Sequence, residues 1–207
     1  MRVLVMTPTY SGMVWDEAAD SIANNMVQAA MAGHHVEKGS VRGYGCGPAR
    51  TRIADKAVRG CFDYVFMVDD DVVLPDGALV SMLEHEVAVC LGFYAHQGRF
   101  DGTTCLCKPG SNNYDLQMTA EELRELRESG KHLVQVKGGG MGCALIDTAV
   151  FDAIDYPYYR WVDYGDRHGT LSEDLYFCEQ CNRANIPIHA DTRIACGHFF
   201  RHRQEAL

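Results

Sequence analysis

Apolar residues fall along this chain in two rhythms that alternate. Arg2 to Met6 is a short β-rich run, broken by the turn chemistry of Thr7-Pro8-Thr9-Tyr10-Ser11-Gly12. Trp15 to Met31 carries good helix formers with apolar residues spaced at three and four, which predicts a helix. His35 to Ser40 predicts a second strand. After the loop G-Y-G-C-G-P, the segment Ala49 to Val58 predicts a second helix, ended by Gly60. Tyr64 to Val68 is apolar with almost no polar alternation, the pattern of a strand in a parallel sheet covered on both faces.

The second half continues the alternation. A helix is predicted from Pro75 to Glu84 and an apolar strand from Val87 to Tyr94, followed by a loop carrying Cys105 and Cys107. The charged stretch Thr119 to Ser129 opens with Thr119 and Glu122 in capping-box spacing and reads as a helix with a solvated face. Lys137 to Phe151 runs from a glycine cluster into a strand and a helix. Ser172 to Cys181 predicts an amphipathic helix, and Ile186 to His198 a strand pair ending in Gly-His. Strand and helix in turn imply an open α/β sheet, which binds ligands outside the carboxyl ends of its strands.

Composition narrows this to one soluble globular domain. The chain has 207 residues, 47% of them apolar and 23% charged, with no repeat or linker. No apolar run reaches the roughly 18 residues of a membrane span, and M-R-V-L-V-M-T-P-T-Y turns polar too soon for a signal peptide. Nine cysteines, an odd number set mostly singly, read as reduced thiols, and the expected location is the cytoplasm. A formal charge of -9 speaks against a broad phosphate-gripping surface, so phosphate contact should be local and supported by a metal.

The candidate chemistry starts at V-F-M-V-D-D-D-V-V-L-P. On an extended chain alternate residues point the same way, so Asp69 and Asp71 converge while Asp70 faces elsewhere. Paired carboxylates suit a hard divalent cation, Mg²⁺ or Mn²⁺; an acidic turn after a strand is the plainer alternative. The glycines Gly138 to Gly142 let backbone approach a ligand closely, or serve a turn. Glu173 and Asp174 open a helix, where acids also complement the helix dipole.

Taken in order, these segments resemble the GT-A glycosyltransferases, particularly the family 2-like group. The residues that carry the resemblance are T-P-T-Y at Thr7 to Tyr10, A-R-T at Ala49 to Thr51, D-D-D at Asp69 to Asp71, G-G-G-M-G at Gly138 to Gly142, E-D at Glu173 and Asp174, and G-H at Gly197 and His198. Thr51 departs from the asparagine common in the family. The resemblance covers nearly the whole chain. It implies a GT-A-type open, mostly parallel sheet flanked by helices in a single domain, with residues 1–95 binding nucleotide-sugar and metal and residues 96–207 serving acceptor and catalysis.

The resemblance further implies a nucleotide-sugar donor, a UDP-sugar by preference, with Mn²⁺ or Mg²⁺ bridging its phosphates. Asp71 and His198 would be direct ligands, and Asp69 would bind the metal or the donor ribose. Thr7, Pro8, Thr9 and Tyr10 would hold the base; Arg50, Asp70, Gly140 and Gly142 would contact the donor. Arg201 and Arg203 would add hydrogen bonds to the leaving group, unless the tail is a solvated terminus. Asp174 would be the base that deprotonates the acceptor, or would position the acceptor in a retaining enzyme, with Glu173 orienting a substrate. Tyr159, Trp161 and Tyr164, in an aromatic and Gly-rich stretch expected to be an exposed loop, would stack on the acceptor; core packing is the rival explanation.

Other classes are weaker on sequence. Cys178 and Cys181 form a C-x-x-C and Cys105 with Cys107 a C-x-C, but no second C-x-x-C completes a zinc module. Nucleotidyl transfer to a sugar phosphate usually needs a Gly-rich, Arg-containing loop after the first strand, unlike T-P-T-Y-S-G. A non-catalytic sugar-nucleotide binder would have little use for the full carboxylate and histidine set. The acceptor stays open among saccharide, lipid-linked precursor, protein and a hydroxylated base in phage-type DNA.

Overall fold

The computed structural model describes residues 1–95, 102–110, 114–165 and 169–199. The first half contains β1 (Arg2–Thr9), α1 (Asp16–Met31), β2 (His35–Arg42), α2 (Cys46–Arg59), β3 (Tyr64–Val68), β4 (Val72–Val73), α3 (Ala78–Glu84) and β5 (Val89–Phe93). The second contains β6 (Thr103–Cys107), β7 (Gln117–Thr119), α4 (Ala120–Glu128), β8 (Leu133–Val136), β9 (Gly138–Gly139), β10 (Cys143–Asp147) and α5 (Val150–Ala153). It ends with β11 (Val162–Asp163), β12 (Thr170–Leu171), α6 (Glu173–Arg183), β13 (Ile188–Ala195) and β14 (Gly197–His198).

One seven-stranded sheet in the order β2-β1-β3-β10-β5-β13-β8 forms the centre. β10 and β8 run against the other five strands. The fold is thus a mixed α/β single domain with a mostly parallel sheet flanked by helices, consistent with a GT-A/Rossmann-like architecture. Every residue of β3 and β5 is buried, as strands covered on both faces require. The chain moves one way from β1 to β2 and back past β1 to β3, and right-handed crossovers then put α1 and α2 on opposite faces. α1 packs with α3, and α2 with α6.

Several expected boundaries shift. β1 runs on through Thr7-Pro8-Thr9, read from sequence as a turn, because these residues stay paired with Ser40-Val41-Arg42 of β2. α2 starts at Cys46, ahead of the predicted Ala49, because Pro48 lies in the first turn, where backbone N–H groups have no helical acceptor to lose. Cys105 and Cys107 lie in β6 and not in a loop; β6 pairs with β7 and β9 in a small antiparallel sheet that meets the main one where Cys105 N donates to Tyr94 O. The capping box of Thr119 and Glu122 forms on α4. Cys178 and Cys181 are buried on α6, facing the core. Among the described residues no helix is long and apolar enough to cross a membrane.

A buried carboxylate ties the end of α3 to β13. Asp191 is wholly buried and accepts hydrogen bonds from Arg193 N (2.9 Å), Nε (3.0 Å) and Nη2 (2.6 Å), with His85 Nε2 at 2.8 Å. Burial alone would raise its pKa, but the bonds from Arg193 and His85 outweigh it and hold the carboxyl below its ordinary value. A depressed pKa stabilises the fold above the unfolded value of about 3.9, and that contribution is lost as pH falls through the folded pKa. Asp191→Ala should therefore cost about 2 kcal/mol at pH 7, and urea midpoints should show the gap from wild type narrowing at pH 3.

Candidate active site

The three aspartates do not lie on an extended strand. β3 ends at Val68 and the chain turns, with Val72 N donating to Asp69 O at 3.4 Å, before β4 begins. The alternation argument therefore fails: it holds only while the chain stays extended. Asp69 turns inward to Arg50, Asp71 turns to His198, and Asp70, with its neighbours, borders an open crevice.

Arg50 is the hub. It sits on the buried face of α2 with a side chain 2% exposed, and its Nη2 donates to Asp69 Oδ1 (2.8 Å) and Oδ2 (3.0 Å). Its Nη1 donates to Glu173 Oε1 (3.1 Å) and lies 3.4 Å from Asp174 Oδ1. Three carboxylates from the β3–β4 turn and the start of α6 thus share one guanidinium. Loss of water around Asp69, together with the charges of Asp174, Asp71 and Asp70, pushes its pKa up to about 6 against the opposing pull of Arg50. Burial likewise raises Glu173, with Asp174 adding to it. The expected donor contact by Arg50 is thereby corrected: the side chain is buried, and its Nη1 and Nη2 are turned to carboxylates.

The glycine cluster serves this arrangement. Gly142 O accepts from Asp69 N at 3.1 Å, and Met141 N donates to Asp174 Oδ2 at 3.1 Å. A Cβ on Gly140 would collide with the Tyr94 hydroxyl, and one on Gly142 would lie 2.8 Å from it. Gly142 N donates to that same hydroxyl at 3.0 Å. Gly142 is buried, so its expected donor contact is replaced by packing against Tyr94; Gly140 remains at a cavity wall.

His198 reaches the site through the last strand. β14 pairs with β4, Phe199 N donates to Asp71 O at 2.9 Å, and the Phe199 ring stacks on Trp15 with centroids 4.8 Å apart. His198 Nδ1 is hydrogen-bonded to Ala95 O at 3.3 Å, which turns Nε2 to within 3.6 Å of Asp71 Oδ1. Asp71 raises the imidazole pKa. Asp69 stands apart with Arg50; among the described residues no three His, Cys, Asp or Glu side chains form a metal-holding set.

Two cavities are lined from this pair, one by Asp71 and the other by His198. One, of about 390 Å³, opens at the carboxyl ends of β1, β2 and β3 and is lined by Pro8, Thr9, Tyr10, Tyr44, Gly45 and the three aspartates. Thr7 is buried beneath it, and Arg52 stacks on Tyr44 at 4.2 Å. The other, of about 250 Å³, is lined by Tyr94, Tyr114, Gln117, Gly140, Ser172, Asp174 and His198. Tyr44 and Tyr94 were not singled out from sequence; the first sits in a loop read only as a break, the second at the end of a strand read only as core.

The expected acceptor aromatics divide. Tyr159 is 1% exposed and stacks on Phe177 at 4.8 Å, so it is core and not an exposed platform. Its backbone explains the placement, since Tyr159 N and O both bond Thr51 Oγ1 on α2. Trp161 and Tyr164 are exposed, and Tyr164 lines a separate groove along α6 with Tyr176 and Arg183. Arg201 and Arg203 lie outside the described residues.

Fold and site together define a GT-A/Rossmann-like α/β protein with an acidic, histidine-bearing cleft at the carboxyl ends of its strands. No family model matches the chain, and no curated protein does. Among solved structures it is similar to A197 from STIV, with a TM-score of 0.61 and 16% identity over 97% of this chain and 86% of that one. This likeness supports the fold. A more distant likeness, to UDP-glucose pyrophosphorylase from Acinetobacter baumanii, has a TM-score of 0.42 and 13% identity, over 76% of this chain and 53% of that one.

Replacing Arg50 by Met would strand three carboxylates beside one another. Removal of one partner from a buried ion cluster costs about 3–5 kcal/mol. Arg50→Met should lower the urea unfolding free energy by that order, whereas Arg52→Met, at the surface, should change it by less than about 0.5 kcal/mol.

Proposed function

We propose that this protein is a metal-dependent glycosyltransferase that moves a sugar from a nucleotide-sugar, preferably a UDP-sugar, to a hydroxyl acceptor. The observation that carries the reading is that Asp71 lines one cavity and His198 another, with the two side chains 3.6 Å apart beside the turn whose Asp69 binds Arg50. The larger cavity lies at the switch point between β1 and β3, where open α/β sheets bind ligands. Pro8, Thr9 and Tyr10 line a wall suited to a base, and Tyr44 faces the same space. The N-terminus of α2 opens into it at Gly45 and Cys46, with no side chain capping the helix, and such a helix end suits a diphosphate.

A hard divalent cation fits the donor set. One carboxylate and one imidazole, with Nε2 turned to the carboxylate and Nδ1 held by Ala95, leave the remaining positions to phosphate oxygens and water, as Mg²⁺ and Mn²⁺ prefer. Asp71 and His198 would hold the metal, which supplies Lewis-acid stabilisation of the departing diphosphate. Asp69, bound to Arg50, positions the turn that carries Asp71.

Asp174 takes the acceptor proton. Its Oδ1 is buried towards Arg50, so the carboxylate faces the smaller cavity through Oδ2, and Met141 N fixes that oxygen in place. Glu173 stays in the buried cluster and holds the first turn of α6 against α2.

Calorimetric titration of UDP-glucose, UDP-galactose, UDP-N-acetylglucosamine and GDP-mannose, with and without Mn²⁺, tests the reading. One donor should bind in a metal-dependent manner, and absence of binding to all four would remove the proposal. Asp71→Ala should abolish that metal dependence while leaving the unfolding midpoint near wild type. Asp174→Asn should keep donor affinity yet slow transfer by roughly 10²-fold or more, measured as release of nucleoside diphosphate.

A further inference from the structure

The smaller cavity carries an inference about the acceptor that rests on the transferase reading above. We propose that the acceptor is a single neutral sugar or polyol unit, seated in the cavity between Tyr94, Tyr114 and Gln117 with its reacting hydroxyl at Asp174 Oδ2. Three observations support it. The first is size: about 250 Å³ lies below the roughly 300–1,000 Å³ typical of sites for drug-sized ligands, which matches a single sugar ring.

The second is charge. Among the described residues the lining includes Asp174 and no Lys or Arg, and its one basic side chain, His198, is turned to Asp71, so a phosphate beside the reacting hydroxyl would face the Asp174 carboxylate. This disfavours nucleic acid, sugar phosphates and phosphorylated lipid carriers close to the reacting hydroxyl. The third is the wall chemistry. The Tyr114 ring is held rigid, because its hydroxyl donates to Glu179 at 3.0 Å and accepts from Asn182 at 3.2 Å. It faces the cavity together with the buried Tyr94 and the polar Gln117 and Ser172, a mixture of apolar ring face and polar edge that suits a sugar. Trp161 and Tyr164 play no part in this seat.

In the reaction the acceptor oxygen forms a bond to the anomeric carbon of the donor. The bond from that carbon to the diphosphate breaks with its electron pair on the diphosphate oxygen, and the acceptor proton passes to Asp174 Oδ2.

The experiment uses the full chain with Mn²⁺ and the donor that calorimetry identifies, following nucleoside diphosphate release. Glucose, N-acetylglucosamine and glycerol are compared with glucose 6-phosphate, a serine-containing peptide and duplex DNA carrying 5-hydroxymethylcytosine. A neutral small acceptor should raise release at least tenfold above donor hydrolysis. Gln117→Trp from β7 and Leu175→Phe from α6, two independent ways of filling the cavity, should each raise that acceptor's KM at least tenfold while donor Kd stays within twofold. Stimulation by the phosphorylated sugar, peptide or DNA alone, no stimulation by any, or an unchanged KM in both variants would overturn the inference with the donor reading intact. Failure of every donor to bind, seen before any acceptor is added, would instead remove the transferase reading and this inference with it.

Discussion

Arg50 is a cation almost without access to water, and a charge in that position persists only if carboxylates surround it. The cluster it gathers joins α2, the turn after β3 and the first turn of α6, three places far apart in sequence. Each carboxylate is in turn constrained by backbone, Asp69 through its own N–H to Gly142 and Asp174 through Met141. The result is a floor of fixed charge on which the side chains that face solvent are mounted.

Above that floor the geometry depends on close approach. Tyr94 occupies space that side chains at Gly140 and Gly142 would need, so the glycines let the β9–β10 connection lie flat against its ring. Tyr94 also meets His198 edge-on at 4.8 Å, which couples the glycine segment to the last strand. The pairing of β14 with β4 and the stack of Phe199 on Trp15 then bring the imidazole to the aspartate turn. Gly142, which looks like a ligand contact in a motif, acts here as a spacer for an aromatic ring, and Gly140 makes the same room while lining the smaller cavity.

The division of space follows from the same parts. The Asp71 and His198 pair separates a crevice at the switch point of the sheet from a smaller chamber backed by the β6–β7–β9 sheet. The transfer proposed above would use such a partition, because two substrates must meet at one point while each is recognised separately. On the buried side three carboxylates share the one guanidinium of Arg50, and burial with the remaining repulsion keeps the Asp69 pKa up at about 6.

Local pattern was enough to establish the alternating strands and helices, the capping box at Thr119 and the open α/β class, because hydrophobic periodicity is set by which face of each element is covered. Asp69 to Asp71, Glu173, Asp174 and His198, which the fold does bring to one end of the sheet, were singled out only by the resemblance of the ordered motifs, since each alone reads as a turn, a helix start or a lone histidine. Direction was beyond local pattern. Whether Asp69 points with Asp71 or away depends on one turn, and whether Arg50 meets a ligand or three carboxylates depends on elements over 100 residues apart in the chain. Tyr159 reads like an exposed aromatic beside Trp161, yet it stacks in the core because Thr51 on α2 holds its backbone there. Residue chemistry is written locally, whereas the partner of each buried charge and ring is chosen by long-range packing, and only the tertiary structure decides it.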